Sequence, residues 1–194
     1  MNYANPALNL EIYPLDERRW SDFESLFGDR GACGGCWCMY WRLKRSDFNK
    51  QKGNANKLAI HALVERCENT GLLAYVDGKP VGWCALAPRE EYLRLENSKV
   101  WKGVDDLSVW SIPCFFVAKA FRRQGILLEL IKGAIHYCKS SNVKILEGYP
   151  VAPYADKIPD AFAYTGFPSV FEAAGFVEVE RRSPSKPMMR YYIE

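Results

Sequence analysis

Residues 115–131 read FFVAKAFRRQGILLELI. An apolar strand ends at Val117, a basic loop follows, and a helix opens at Arg123-Gln124-Gly125. The first turn of a helix carries N–H groups without intrahelical acceptors and a partial positive charge, so it favours a phosphate. Gly125 lets backbone approach a ligand without a side chain in the way. Arg122 and Arg123 add charge beside it, and Lys119 adds more at the rim. A diphosphate is the guest this segment predicts; the competing reading is a solvated basic turn with an incidental glycine.

Upstream, residues 109–118 (VWSIPCFFVA) predict one long strand, with a bulge or an edge at Pro113 because proline cannot donate to a ladder. Residues 72–76 and 81–87 predict two strands joined around Asp77-Gly78, a hairpin signal. Residues 55–69 predict a helix with Ile60, Leu63, Val64 and Cys67 on one face. A strand is predicted over 8–13, and a helix capped by Asp16 runs to Phe27 with Gly28 as its stop.

Downstream, the helix over 123–139 buries Leu127, Leu130, Ile131, Ala134 and Cys138, and leaves Glu129, Lys132 and His136 on its polar face. A strand at 143–149 follows, then a polar, proline-rich loop at 151–167, a short helix at 168–174 stopped by Gly175, and strands at 176–181 and 188–193. Strand–helix–strand over 109–149 implies a parallel pair, and the hairpin implies antiparallel pairing beside it. The expectation is an α/β (α+β) fold in one domain, 1–194, with a mixed sheet of about six to seven strands between helices.

The chain has 194 residues, 48% of them hydrophobic and 25% charged, which suits one folded domain and excludes a wholly disordered chain or a collagen. A net charge of +3 is too balanced to point to nucleic acid as the main partner. No run of about 18 apolar residues offers a membrane span. The N-terminal residues lack the basic and apolar regions of a secretory signal, and seven cysteines is an odd number, so a cytoplasmic location is expected. A two-fold homodimer is the commonest default for oligomers.

Arg122-Arg123-Gln124-Gly125-Ile126-Leu127 resembles the acyl-CoA pyrophosphate loop of the GNAT N-acetyltransferase superfamily, Arg/Gln-x-x-Gly-x-Gly/Ala. The Phe- and Val-rich strand before it and the VDGKPVGW hairpin upstream agree. So does Phe171-Glu172-Ala173-Ala174-Gly175-Phe176, which is similar to the family's Tyr-Glu-x-x-Gly-Phe segment. Together these cover residues 72–182. There are two departures: Leu127 stands where the loop has a small residue, and Phe171 stands where many members have a tyrosine that protonates the leaving thiolate.

The resemblance implies transfer of an acetyl group from acetyl-CoA to a primary amine by direct attack in a ternary complex, with no metal. The pantetheine arm would lie between the strands ending at Val117 and near Tyr149, bonded to the backbone around Phe116 and Val117. The pyrophosphate would rest on the amides of Arg123, Gln124, Gly125, Ile126 and Leu127. For acid–base work the candidates are Glu147 and Tyr149, two apart on one strand, and Tyr164 in the loop before the last helix. The acceptor is a small-molecule amine or a peptide N-terminus. A non-catalytic acyl-CoA sensor of the same fold is the alternative.

Cys33, Cys36 and Cys38 form a C-x₂-C-x-C cluster within the cysteine- and aromatic-rich segment 28–54. A structural zinc site normally needs four ligands, and a fourth would have to be His61 or Cys67. The preferred reading is structural, small residues that let Trp37, Met39, Tyr40 and Trp41 pack. A metal or thiol protein organised by this cluster is the third hypothesis. In the family this region helps form the acceptor pocket, which would bring Trp37, Trp41 and Arg42 to the substrate, with Arg42 suited to an acidic group.

Overall fold

The computed structural model describes residues 2–152 and 163–194. Two five-stranded sheets stand side by side. The first is antiparallel throughout, in the order β1 (Tyr3–Asn5), β2 (Leu10–Pro14), β3 (Gly71–Val76), β4 (Lys79–Ala85) and β7 (Phe115–Val117). The second holds β5 (Ala87–Pro88), β6 (Trp110–Ile112), β8 (Ile145–Gly148), β10 (Met188–Tyr192) and β9 (Val177–Glu180), in that order. Within it, β6 and β8 are parallel.

The single strand expected over 109–118 is two. At Pro113 the chain leaves the second sheet and enters the first, so β6 pairs with β8 whereas β7 pairs with β4. Proline supplies no N–H for the ladder, and the interruption falls where pairing must change partner. β7 and β8 therefore diverge, and a gap opens between the sheets.

Helix α5 (Ile126–Ser140) covers one face of the first sheet; α1 (Trp20–Phe27) and α3 (Asn54–Glu65) cover the other. The period-2 alternation of β3 decides this. Leu72 and Ala74 enter the cluster of Leu130 and Ile131, whereas Leu73 and Tyr75 enter that of Phe23 and Ile60. The remaining helices are α2 (Arg45–Gln51), α4 (Leu93–Glu96) and α6 (Pro168–Ala173).

Local signals account for the boundaries. Asp16 Oδ1 accepts from the Arg19 amide at 3.1 Å, capping the turn that leads into α1. Asp77 and Gly78 both have positive φ, 50° and 73°, as a type I′ hairpin turn demands. α3 stops at Glu65, four residues earlier than its pattern suggests; Cys67 sits in a turn at φ 55° and is exposed, off the apolar stripe. Glu129 leaves the expected polar face of α5: it is buried and accepts from Tyr3 Oη at 2.8 Å and Asn5 Nδ2 at 3.0 Å, tying down β1, a strand the sequence reading omitted. No helix among the described residues is long and apolar enough to cross a membrane.

Candidate active site

α5 begins beside the gap. Gly125 caps it at φ 80°, a left-handed conformation; a Cβ there would meet nothing within 4 Å, so conformation rather than crowding calls for glycine. The amides of Ile126, Leu127 and Leu128 then have no carbonyl one turn back to bond. Arg122 Nε donates to the Val117 carbonyl at 3.0 Å and fixes the loop to the end of β7. Gln124 turns its amide back to the Ala120 carbonyl at 2.8 Å, and Arg123, at φ 61°, is exposed. Leu127 is half-buried against the core.

The register of β7 decides which peptide groups face the gap. The Ala118 amide donates to Val81 and the Ala85 amide to Cys114, both at 2.9 Å, so Phe116 and Ala118 turn their amides toward β4. Phe115 and Val117 turn theirs outward. The Phe115 amide is taken by the Tyr164 carbonyl at 2.6 Å. Of the two backbone positions expected to bond a ligand, Val117 thus presents its peptide group, and Phe116 contributes its side chain instead.

A cavity of about 960 Å³ runs along this edge. One end is the start of α5, with Arg122, Arg123, Gly125, Ile126 and Leu127 in its wall. The other end is aromatic and sulfur-lined: Tyr40, Trp41, Phe48 and Tyr164 meet Cys38 and Cys114 there, with Lys52 at the side. The Trp41 indole N–H is buried with no hydrogen-bond partner among the described residues.

Trp41 and Tyr164 therefore reach the cavity as expected positions for a site. Tyr164 packs edge-on to the Tyr40 ring at 6.3 Å, and burial pushes its phenol well above the usual range, so it stays protonated. Trp37, Arg42, Glu147 and Tyr149 do not line it. Trp37 is a core residue, stacked on Phe27 at 5.7 Å. Arg42 is held behind the wall, donating to Glu91 at 2.5 Å and to the Asn69 carbonyl at 2.6 Å, over the Tyr92 ring.

Glu147 and Tyr149 share a face, but that face meets arginines rather than the gap. Glu147 Oε1 accepts from Tyr149 Oη at 2.6 Å and Arg89 Nη1 at 2.9 Å, while Oε2 accepts from Arg190 Nε at 2.7 Å. Burial and the Glu147 charge keep the Tyr149 phenol protonated. The expected acid–base pair thus sits in a buried network with Arg89, Arg190 and Ser111, away from the cavity in which that role was expected.

Phe171 is fully buried and packs on Gly148, where a Cβ would sit 2.2 Å from its ring. Phe171 brings no hydroxyl to that position and does not line the cavity. Tyr40, Phe48, Lys52 and Cys114 were missed by sequence reading. Tyr40 lies in the aromatic run after the cysteines, and Cys114 follows the proline that breaks the strand; neither carries a spacing that announces a site. The three clustered cysteines do not bring their sulfurs within ligand distance of one another among the described residues; the one grouping of that kind there is Glu17, His61 and Glu65.

The fold has many solved counterparts. An acetyltransferase of the GNAT family from Streptococcus agalactiae shares 11% identity over 95% of this chain and 96% of its own, with a TM-score of 0.57. The ribosomal-protein-S5-alanine acetyltransferase of Vibrio fischeri shares 11% identity over 100% and 97%, with a TM-score of 0.54. PaiA N-acetyltransferase of Thermoplasma acidophilum, solved in complex with coenzyme A, shares 14% over 94% and 98%, with a TM-score of 0.51. Among curated proteins no significant match was found. Residues 37–152 match the family model described as Acetyltransferase (GNAT) family, from the cysteine cluster through the α5 loop to the end of β8 and just beyond. With that match spanning more than half of its length, the chain belongs to the GNAT family of acetyltransferases.

Proposed function

We propose that this protein moves an acetyl group from acetyl-CoA to a primary amine. The observation that carries the reading is the continuity of one cavity. It begins at the unpaired amides of α5, follows the outward edge of β7, and ends among Tyr40, Trp41, Phe48 and Tyr164. The pyrophosphate suits the α5 end, where amides, the helix dipole and the Arg122–Arg123 pair all favour an anion. The pantetheine arm takes the edge of β7 and bonds Val117. The acceptor enters at the aromatic end.

Tyr164 stays protonated and so serves as a hydrogen-bond donor to the departing sulfur rather than as its acid. Lys52 beside that end favours an acceptor with an acidic group near its amine, the role first expected of Arg42. A peptide N-terminus and a small amine both satisfy these terms; one relative of the fold is named for an alanine of a ribosomal protein.

Calorimetric titration with acetyl-CoA, followed by thiol-release assays over a panel of small amines and peptides, tests the reading. Micromolar binding with turnover on some acceptor supports it. Absence of binding sinks it, and binding without turnover on any amine leaves the sensor in its place.

A further inference from the structure

We propose that Cys38 is a nucleophile that takes the acyl group from the thioester before the amine does, with the Cys114 thiol as its proton partner. This rests on the acetyl-CoA reading above and adds a step to it. The first argument is position. The phosphate-favouring loop follows the Val117 end of β7, and Cys114 immediately precedes the other end. An arm laid along that edge from the loop brings its far end beside Cys114, about 10 Å along at some 3.3 Å per residue. Cys114 lies beside Cys38, and both line the cavity. The thioester is thereby delivered to the sulfur pair.

The second argument is preparation of the sulfur. Trp83 Nε1 donates to Cys38 Sγ at 3.0 Å, and the Cys114 thiol lies beside the same atom. An N–H donor on the sulfur, with a second thiol beside it, favours the thiolate. Burial pushes Cys84 and Cys138 up, as it should for thiols in an apolar core. Cys38 goes the other way: the Cys114 thiol beside it, then Trp83 and the Arg42 charge, outweigh its burial and hold it below the ordinary thiol value. Cys114 is held up in turn by Cys38.

The third is the backbone. Trp37 and Cys38 are consecutive non-glycine residues at φ 42° and 60°, a conformation that costs energy and is kept only where the surroundings impose it. Finally, the Trp41 N–H on the same wall, without a partner among the described residues, is a donor that a thioester oxygen suits.

The step balances. The Cys38 thiolate attacks the thioester carbonyl; the new sulfur–carbon bond forms, the bond to the CoA sulfur breaks, and CoA leaves as a thiolate. Once Cys38 is acylated its charge is gone, so Cys114 gives up its proton to the CoA sulfur. The amine then attacks the acyl-cysteine, Cys38 leaves as thiolate, and the surplus proton of the amine returns to Cys114.

The test needs no acceptor. The whole chain is incubated with acetyl-CoA and isotopically labelled CoA. Label is expected to pass into acetyl-CoA, and mass spectrometry of digested protein is expected to find an acetyl thioester on the peptide bearing Cys38, released by hydroxylamine. Cys38→Ala and Cys38→Ser should each lower exchange about 100-fold or more, with CoA affinity held within about threefold as the check on folding. Bound acetyl-CoA with neither exchange nor adduct overturns the relay and leaves direct attack. Exchange that survives in both variants also overturns it. Failure to bind acetyl-CoA overturns the reading on which it rests.

Discussion

Arg190 on β10 and Glu147 on β8 are paired in register, and Arg190 Nε donates to Glu147 Oε2 at 2.7 Å with neither side chain reaching solvent. Arg190 also grips Asp105 through both terminal nitrogens, at 2.6 and 3.1 Å, and Arg89 holds the second oxygen of Glu147. Glu147→Gln leaves two buried guanidinium groups short of charge, a loss of about 3–5 kcal/mol. Urea unfolding is expected to show it, while CoA affinity in the folded fraction is unchanged. Full stability with lost turnover would return Glu147 to the chemistry.

Glu129 binds β1 to α5. Its folded value is lowered despite burial, because Lys132, Asn5 and Tyr3 all bond its carboxylate. A depressed carboxyl contributes stability above its unfolded value and loses it as pH falls through the folded one. Stability should therefore drop from about pH 5 downward, first as faster amide exchange in β1. Glu129→Gln should flatten that acid limb and cost about 1–3 kcal/mol at neutral pH. An acid limb unaltered in the variant would refute the assignment.

Gly125 tests the phosphate end. Gly125→Ala forces a side chain into the left-handed region, a cost of about 1–2 kcal/mol, and shifts the first amides of α5. Gly125→Glu also places an anion where the proposed reading puts the phosphates. CoA affinity is expected to fall about tenfold in the first and beyond detection in the second, by calorimetry. Equal affinity in all three proteins would mean that the pyrophosphate binds elsewhere.

These predictions separate what the sequence announces from what it hides. The α5 loop, the hairpin and the Asp16 cap are local: a glycine, two turn residues and a capping carboxylate carry their own conformations. Pro113 signals an interruption, yet nothing near it says that the strand changes sheets, since that depends on β4 and β8, far away along the chain. Glu147 and Tyr149 stand on the right face of the right strand. Their partners, Arg89 and Arg190, are distant in sequence and claim them for the interior. Cys38 and Cys114 meet only because the turn after α1 folds over the break at Pro113, a contact across 76 residues that no spacing records.

On the proposed reading Tyr164 donates without giving up its proton, so the loss of its hydroxyl should be felt chiefly at the departing sulfur. Tyr164→Phe is expected to lower kcat about 10- to 100-fold, the worth of one hydrogen bond to a charged group, with acetyl-CoA affinity unchanged. Its backbone carbonyl, which takes the Phe115 amide, is untouched by the change. A rise in KM with kcat intact would instead make Tyr164 a wall of the acceptor pocket.

Arg42, expected as a contact for the acceptor, lies behind the cavity wall, and on the proposed relay it acts on the sulfur. It faces Cys38 from behind the cavity wall, where Cys36, Cys84, Cys114 and Tyr92 also bear on that thiol. Of these, only Arg42 is a fixed positive charge, and it favours the thiolate. Arg42→Met keeps the length and removes the charge, so the Cys38 value must rise and its thiolate fraction at a given pH must fall. Alkylation of Cys38 by iodoacetamide, followed on its own tryptic peptide, should then slow and its pH midpoint should move upward, with the exposed Cys33 and Cys67 as internal references. The variant should also unfold at lower urea, because Glu91 and the Asn69 carbonyl lose their donor. A downward or absent shift in the midpoint would mean that Cys38 is protonated in the resting protein, and that the Trp83 N–H on its sulfur serves packing alone.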